Sequence, residues 1–201
     1  MIRAIIFDMD AMIVHGERFS SRLASEYDIP LETTLPFFTG DFQKCLIGEL
    51  DLKETLPQYL SIWGWQRSLD DLLDVWFDPN HNVIDTRFET LITEIKEAGI
   101  KTYLGTNNEK YRSDTLFNRG LRKWFDSIFS SGYIGSKKPD SAFFQHVLKM
   151  TKHSKEDILF CDDNIKNIEG AKSFGLSTHT YTDFETFEKL ARKIIAEMSL
   201  E

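Results

Sequence analysis

The sequence predicts an α/β fold in three layers, a parallel sheet covered by helices on both faces, with a small helical subdomain set into it. Three observations lead there. Through the second half of the chain, short β-rich runs alternate with amphipathic helices, as strands joined by helical crossovers do. Residues 15–85 hold several helical periodicities and no convincing strand. The length of 201 residues, 41% of them hydrophobic and 13% aromatic, suits one compact domain with an insertion and a real apolar core.

The first expected strand is Ala4 to Phe7, an apolar run that ends at Asp8. The insert follows. Phe19, Leu23 and Tyr27 fall at helical spacing, and Ser68 with Asp71 frames the run Leu69, Leu72, Leu73, Trp76 as a helix opened by a capping box. Asp51 with Glu54 marks another such start, which Pro57 shortens or kinks. Spaced aromatic residues such as Phe38, Phe42, Trp63 and Trp65 read as the insert's own core in preference to a substrate surface, and Lys44 as a solvated charge. Beyond the insert, Phe88, Leu91, Ile92 and Ile95 stand at i, i+3, i+4 and i+7. Gly99 stops that helix and Ile100 opens a strand that runs to Gly105. Further strands are expected at Ser127 to Ser130, Ile158 to Cys161 and Ser177 to Tyr181. The division is a Rossmann-like core of 1–14 with 86–201 and a helical insert of 15–85. Linkers near Val14 to Glu17 and Pro79 to Thr86 join the two, and the insert is expected to hinge there.

Composition bounds the function. With 24 Lys+Arg against 32 Asp+Glu, the net charge of −8 argues against a nucleic-acid partner, since phosphate backbones are held by clustered cations. Cys45 and Cys161 lie far apart in no metal-binding spacing and read as free thiols of a reducing compartment. The apolar run at the N-terminus is too short and too acidic for a signal peptide, and no stretch nears the roughly 18 apolar residues that span a bilayer. The expectation is a soluble, cytoplasmic protein with no membrane partner. Nothing in the sequence specifies an oligomeric state.

The chemistry gathers where strands end. Asp8 and Asp10 emerge at the carboxyl end of the first strand, the edge at which open α/β sheets bind ligands. Two close carboxylates repel unless a positive group compensates, and a hard divalent cation with oxygen ligands is the usual one. The plainer alternative is a pair of solvated loop aspartates. A second apolar run, Ile158 to Cys161, ends directly in Asp162 and Asp163, so four carboxylates converge at one sheet edge, an Mg²⁺ site in outline. By itself, Asp162-Asp163-Asn164 also reads as an N-cap cluster for the helix carrying Ile165, Ile168 and Ala171. Thr106-Asn107-Asn108 and Lys138 follow the intervening strands. A hydroxyl, backbone N–H groups and a lysine are what a phosphoryl group needs around it. Alone, Thr106 reads as a helix cap and Lys138 as a surface residue; their place after strands of one sheet favours a site.

These residues together resemble the four motifs of the haloacid dehalogenase-like hydrolase superfamily. Asp8-Met9-Asp10 is similar to the first, Thr106-Asn107 to the second, Lys138-Pro139-Asp140 to the third, and Asp162-Asp163 with Asn167, Gly170, Ala171 and Gly175 to the fourth. The helical insert resembles the cap of one branch, nearest to small sugar phosphatases of the glucose-1-phosphatase type. The resemblance implies Asp8 as nucleophile, giving an aspartyl-phosphate. It implies Asp10 as general acid and then base, and Thr106, Asn107 and Lys138 as phosphoryl-binding groups, with Thr106 and Lys138 also catalytic. Asp8, the Asp10 carbonyl oxygen, Asp162 and Asp163 would serve as Mg²⁺ ligands. Dehalogenases resemble this pattern without the second aspartate, so Asp10 favours phosphoryl chemistry.

Two positions depart from the pattern: Ala11 stands where the family commonly has Gly, and Met12 where it has Thr or Val. A positive φ at Ala11 would cost roughly 1 kcal/mol, and Met12 is placed to crowd the pocket. The expected function is a Mg²⁺-dependent phosphomonoesterase acting on a small phosphorylated metabolite, with the cap as lid. The alternatives are a phosphomutase of the beta-phosphoglucomutase type and a catalytically weak binding protein of the same fold.

Overall fold

Strand β1 (Ala4–Phe7) is buried along its whole length and feeds two cores at once. Ile5 and Phe7 join one apolar cluster and Ala4 and Ile6 another, because successive side chains of a strand leave opposite faces of the sheet. The computed structural model describes residues 1–198. After β1 come β2 (Val14–His15) and six helices, α1 (Phe19–Tyr27), α2 (Leu31–Thr39), α3 (Asp41–Cys45), α4 (Leu52–Thr55), α5 (Pro57–Leu60) and α6 (Leu69–Phe77). Then follow β3 (Val83–Ile84), α7 (Arg87–Glu97), β4 (Lys101–Thr106), α8 (Lys110–Asn118), β5 (Ser127–Ser130) and α9 (Ser131–Ile134). The chain continues through α10 (Ser141–Thr151), β6 (Ile158–Asp162), α11 (Ile165–Phe174), β7 (Ser177–Thr180) and α12 (Phe184–Met198).

The main sheet has the order β5-β4-β1-β6-β7, and all its pairs are parallel. Phe88, Leu91, Ile92 and Ile95 of α7 cover one face together with α12, and Phe143, Phe144 and Val147 of α10 cover the other with α11. The three-layer Rossmann-like reading therefore holds. Phe7 lies opposite both Leu104 and Cys161, so β1, β4 and β6 deliver their carboxyl ends at one level. The crossover after β1 runs over one face with α7 and the crossover after the neighbouring β6 over the other with α11, which makes the edge between them a topological switch point, where such sheets bind ligands. Two strands run one residue further than the apolar pattern shows. Thr106 pairs with Ser130 and Asp162 with Thr180, so both chemical side chains stand on the ladder itself.

Helices α1 to α6 pack round a cluster of their own that includes Phe19, Leu23, Phe37, Trp63, Trp65 and Trp76. Phe19 stacks on Trp76 with centroids 4.5 Å apart. Trp63 and Trp65 are buried there and Phe38 and Phe42 pack against that cluster, while Lys44 is exposed beside Asp41. The Ser68–Asp71 capping box forms as the spacing predicts. Asp51 caps α4, which ends after one turn because Pro57 starts a new helix.

The two linkers of the insert run side by side, a pairing the sequence did not predict. Val14 pairs with Ile84 and His15 with Val83 in an antiparallel ribbon. A two-residue ladder carries no periodicity to read. Gly16 lets the strands approach, since a Cβ there would fall 2.0 Å from the His81 carbonyl oxygen. Among the described residues, no helix is long and apolar enough to cross a membrane.

Candidate active site

At the switch point the chain gathers carboxylates round one buried ammonium. Asp8 follows β1 directly, its N–H bonded to the Cys161 carbonyl, and its side chain is almost wholly buried. Lys138, 2% exposed, donates to Asp8 Oδ1 at 2.5 Å and to Asp162 Oδ2 at 2.7 Å. The reading of Lys138 as a solvated lysine is thereby excluded. Asp162 is fixed further by the Asn164 N–H at 2.8 Å and by Asn167 Nδ2, 3.0 Å from both oxygens. The exposed Asp163 completes the group: Asp8, Asp162 and Asp163 each offer an oxygen within 4.8 Å of the others.

The loop that carries Lys138 is held from two sides. Asn107 brackets it, its Nδ2 donating to the Lys138 carbonyl and its Oδ1 accepting from the Lys138 N–H, each at 2.8 Å. On the other side Gly170 of α11 leaves room for Pro139, whose Cβ and carbonyl oxygen would lie 2.5 and 2.6 Å from a Cβ at that position. The Asn107 amide is thus committed to placing Lys138.

Asp10 sits in a different neighbourhood. Arg112, from the first turn of α8, grips it as a fork, Nη2 to Oδ1 at 2.6 Å and Nη1 to Oδ2 at 2.9 Å. Asn108 Nδ2 also donates to Asp10 Oδ2, at 2.9 Å, and to Thr106 Oγ1, at 2.7 Å. The carboxylate of Asp10 does not belong to the group formed by Asp8, Asp162 and Asp163.

The two aspartates of the first loop are driven apart electrostatically. Burial pushes Asp8 up to about 7; the charge of Lys138 opposes this and those of Asp162 and Asp10 add to it. Asp163 is also raised, by burial and by Asp162. For Asp10 burial acts in the same upward direction, but the charge and hydrogen bonds of Arg112, with the bond from Asn108, outweigh it and hold the carboxyl below the usual range. Among the protein's own groups, Asp8 is the carboxyl that favours its proton and Asp10 the one held ionised.

The profile of the haloacid dehalogenase-like hydrolases matches residues 2–175 of this chain. The chain belongs to this family. It is 37% identical over 98 residues to the drimenol cyclase of Aspergillus calidoustus, a stretch that is 46% of this chain and 18% of that protein. It is 34% identical over 101 residues to a sesquiterpene phosphatase of Aspergillus oryzae, 49% of this chain and 51% of that protein. The chain therefore covers at most 51% of the length of either relative. Its fold is similar to that of a haloacid dehalogenase-like family enzyme of Bacteroides thetaiotaomicron solved with magnesium and inorganic phosphate. The TM-score is 0.78 at 17% identity, over 93% of this chain and 99% of that one.

In this haloacid dehalogenase-like hydrolase the two departures in the first loop have separate outcomes. Ala11 takes φ 59°, the left-handed conformation that a glycine adopts without strain. Met12 does not crowd the site, because it is fully buried in the core cluster with Ile5 and Phe7. Sequence reasoning missed Arg112. No local pattern marks it, since its partner Asp10 lies 102 positions away and Asn108, which Arg112 Nη1 also meets, stands before α8 begins.

Proposed function

We propose that this hydrolase is a Mg²⁺-dependent phosphomonoesterase that acts on a small phosphorylated metabolite through an aspartyl-phosphate at Asp8. The observation that carries the reading is Lys138 bridging Asp8 and Asp162 beside Asp163, at the switch point of the sheet. The donor set suits the metal. Three carboxylates outnumber the single ammonium among them, a surplus of negative charge that a divalent cation relieves. Asp8, Asp162, Asp163 and the Asp10 carbonyl would hold Mg²⁺, which supplies charge neutralisation between the nucleophile and the incoming phosphoryl group.

The chain's own groups then divide the reaction. An Asp8 oxygen attacks phosphorus and the bond from phosphorus to the leaving oxygen breaks; Asp10, held ionised by Arg112 until the charge of the bound phosphoryl group draws a proton from water onto it, delivers that proton to the leaving oxygen. In the second half a water attacks phosphorus, Asp10 takes the water's proton, and Asp8 leaves as carboxylate with release of inorganic phosphate. Lys138 and Thr106 bind the phosphoryl oxygens, with Asn107 fixing the loop of Lys138. A dehalogenase needs no proton for its leaving halide, so the positioned Asp10 favours phosphate esters, as does the phosphatase among the relatives. Residues 15–85 act as a lid over this edge, touching it through Lys137 Nζ to Gln43 Oε1 at 2.6 Å and the Tyr111 hydroxyl to Asp51 Oδ2 at 2.8 Å.

The test is phosphate release from a panel of small phosphomonoesters, with and without Mg²⁺, for the wild type, Asp8→Asn and Asp163→Asn. The expected result is release that needs Mg²⁺, is abolished by Asp8→Asn, and requires more Mg²⁺ in Asp163→Asn. Release that persists in Asp8→Asn would overturn the reading. Turnover primed by a sugar bisphosphate without net phosphate release would replace it with a mutase.

A further inference from the structure

Arg112 spends every one of its donors. Nη1 serves Asp10 and Asn108, Nη2 serves Asp10 and Asn82, and Nε serves Asn82. The guanidinium is planar and rigid, so its two edges cannot move independently. One edge faces Asp10. The other faces Asn82 Oδ1, 3.0 Å from Nη2 and 3.3 Å from Nε.

Asn82 in turn belongs to the end of the insert. Its Nδ2 donates to the carbonyls of Trp76 and Asp78, each at 3.1 Å, which ties it to the last turn of α6. Trp76 is part of the insert's aromatic cluster and stacks on Phe19. A second arginine, Arg119, which caps the C-terminus of α8 two turns beyond Arg112, donates to the Asn82 carbonyl at 2.7 Å. Asn82 is 7% exposed and its side-chain groups are all engaged. The path from α6 through Asn82 and Arg112 to Asp10 consists of direct, buried or half-buried contacts.

We propose that Arg112 is a positioning residue that makes the alignment of Asp10 depend on the seating of the insert. When α6 is seated, Asn82 holds the guanidinium side-on and its fork presents Asp10 in one orientation. When α6 lifts, the Trp76 and Asp78 carbonyls withdraw from Asn82 Nδ2, the Asn82 side chain is released, and the fork loses the support that fixes its plane. The proton-transfer group is then set only while the lid is down over the site. This rests on the reading of Asp10 as the acid–base residue, and the tests are chosen to separate the two.

With the best phosphomonoester, Arg112→Lys is expected to lower kcat about 100-fold, the scale on which a misplacement of about 1 Å acts, with KM within about 3-fold of wild type. Arg112→Ala is expected to regain activity on addition of free guanidinium and not of ammonium. Asn82→Ala, which leaves Arg112 and Asp10 intact, is expected to lower kcat about 10-fold by the same route. Wild-type kcat in Arg112→Lys, or a loss confined to KM, would overturn the proposal. Amide exchange of residues 76–84 reads the linkage without turnover. Asp10→Asn is expected to speed exchange there in the parent and to add nothing in an Arg112→Met background. Equal exchange in the parent and Asp10→Asn would overturn the linkage even in an active enzyme. A linked but inactive wild type would instead dismiss the phosphatase reading and leave the linkage standing.

Discussion

Lys138 Nζ lies 2.5 Å from Asp8 Oδ1, across 130 residues of sequence, and reaches Asp162 with the same ammonium. All three side chains are under 10% exposed. Burial pulls the Lys138 ammonium down, yet the charges of Asp8 and Asp162 outweigh that and its pKa is raised. The lysine is held charged by the groups it serves.

Removing that charge leaves two buried carboxylates facing each other with no cation between them. Lys138→Met is expected to lower metal-free stability by about 3–5 kcal/mol, the cost of breaking a buried pair from one side. Urea unfolding with and without Mg²⁺ measures it, and Mg²⁺ is expected to recover part of the loss. Unchanged stability in metal-free buffer would mean that Asp8 and Asp162 do not rely on Lys138.

Glu109 gives the chain a dependence on pH that is separate from the aspartates. It is 2% exposed at the start of α8, accepts from the N–H groups of Tyr111 and Arg112, and is pushed by burial from 4.5 up to about 7. The folded state keeps this proton at pH values where the unfolded chain has lost it. The contribution is therefore full below pH 4.5, falls as pH rises toward 7, and is level above that. Glu109→Gln is expected to remove a fall of about 3 kcal/mol, at about 1.4 kcal/mol per unit. The difference in unfolding free energy between variant and wild type at pH 5 and pH 8 is the readout, and no change in that difference would refute the assignment.

Ala11 occupies a conformation that costs an L-residue about 1–2 kcal/mol. Part of any gain from glycine is lost to its freer unfolded chain, by about 0.5–1 kcal/mol. Ala11→Gly is accordingly expected to raise stability by about 0.5 kcal/mol, measured by chemical denaturation. A clear loss would show that the methyl group makes contacts that repay its strain.

At Gly16 the conflict is with backbone and has no side chain to give way. Gly16→Ala is expected to separate β2 from β3 and to destabilise the chain by about 2 kcal/mol. The matching signature is faster amide exchange at His15 and Val83. Wild-type stability and exchange would mean that the ribbon tolerates a wider spacing.

Much of this molecule is written locally. Continuous apolar runs ending in aspartates marked β1 and β6, and the i, i+3, i+4, i+7 run marked α7, because a buried strand or helix face leaves its period in the sequence. Asp8, Lys138, Asp162 and Asp163 were legible because each stands at or beyond the end of a strand of one sheet. Contacts without a period stayed hidden. The β2–β3 ribbon is two residues long, and Arg112 reaches Asp10 across 102 positions from a helix whose own pattern is weakly amphipathic. Asn107 was legible as a site residue, while the use of its side-chain amide to bracket the Lys138 loop depends on a tertiary contact.

The pairing of Val14 with Ile84 closes the intervening segment into a loop whose two ends already touch. Closing a flexible loop grows only logarithmically more costly with its length, about 0.6 kcal/mol for each doubling. Residues can therefore be added or removed between these two points at little entropic expense and without shifting the register of β1 against β4 and β6. The attachment is a gate in the chain's architecture through which a segment of almost any size can be threaded, while the carboxylates at the ends of β1 and β6 keep their places on the far side of the seam.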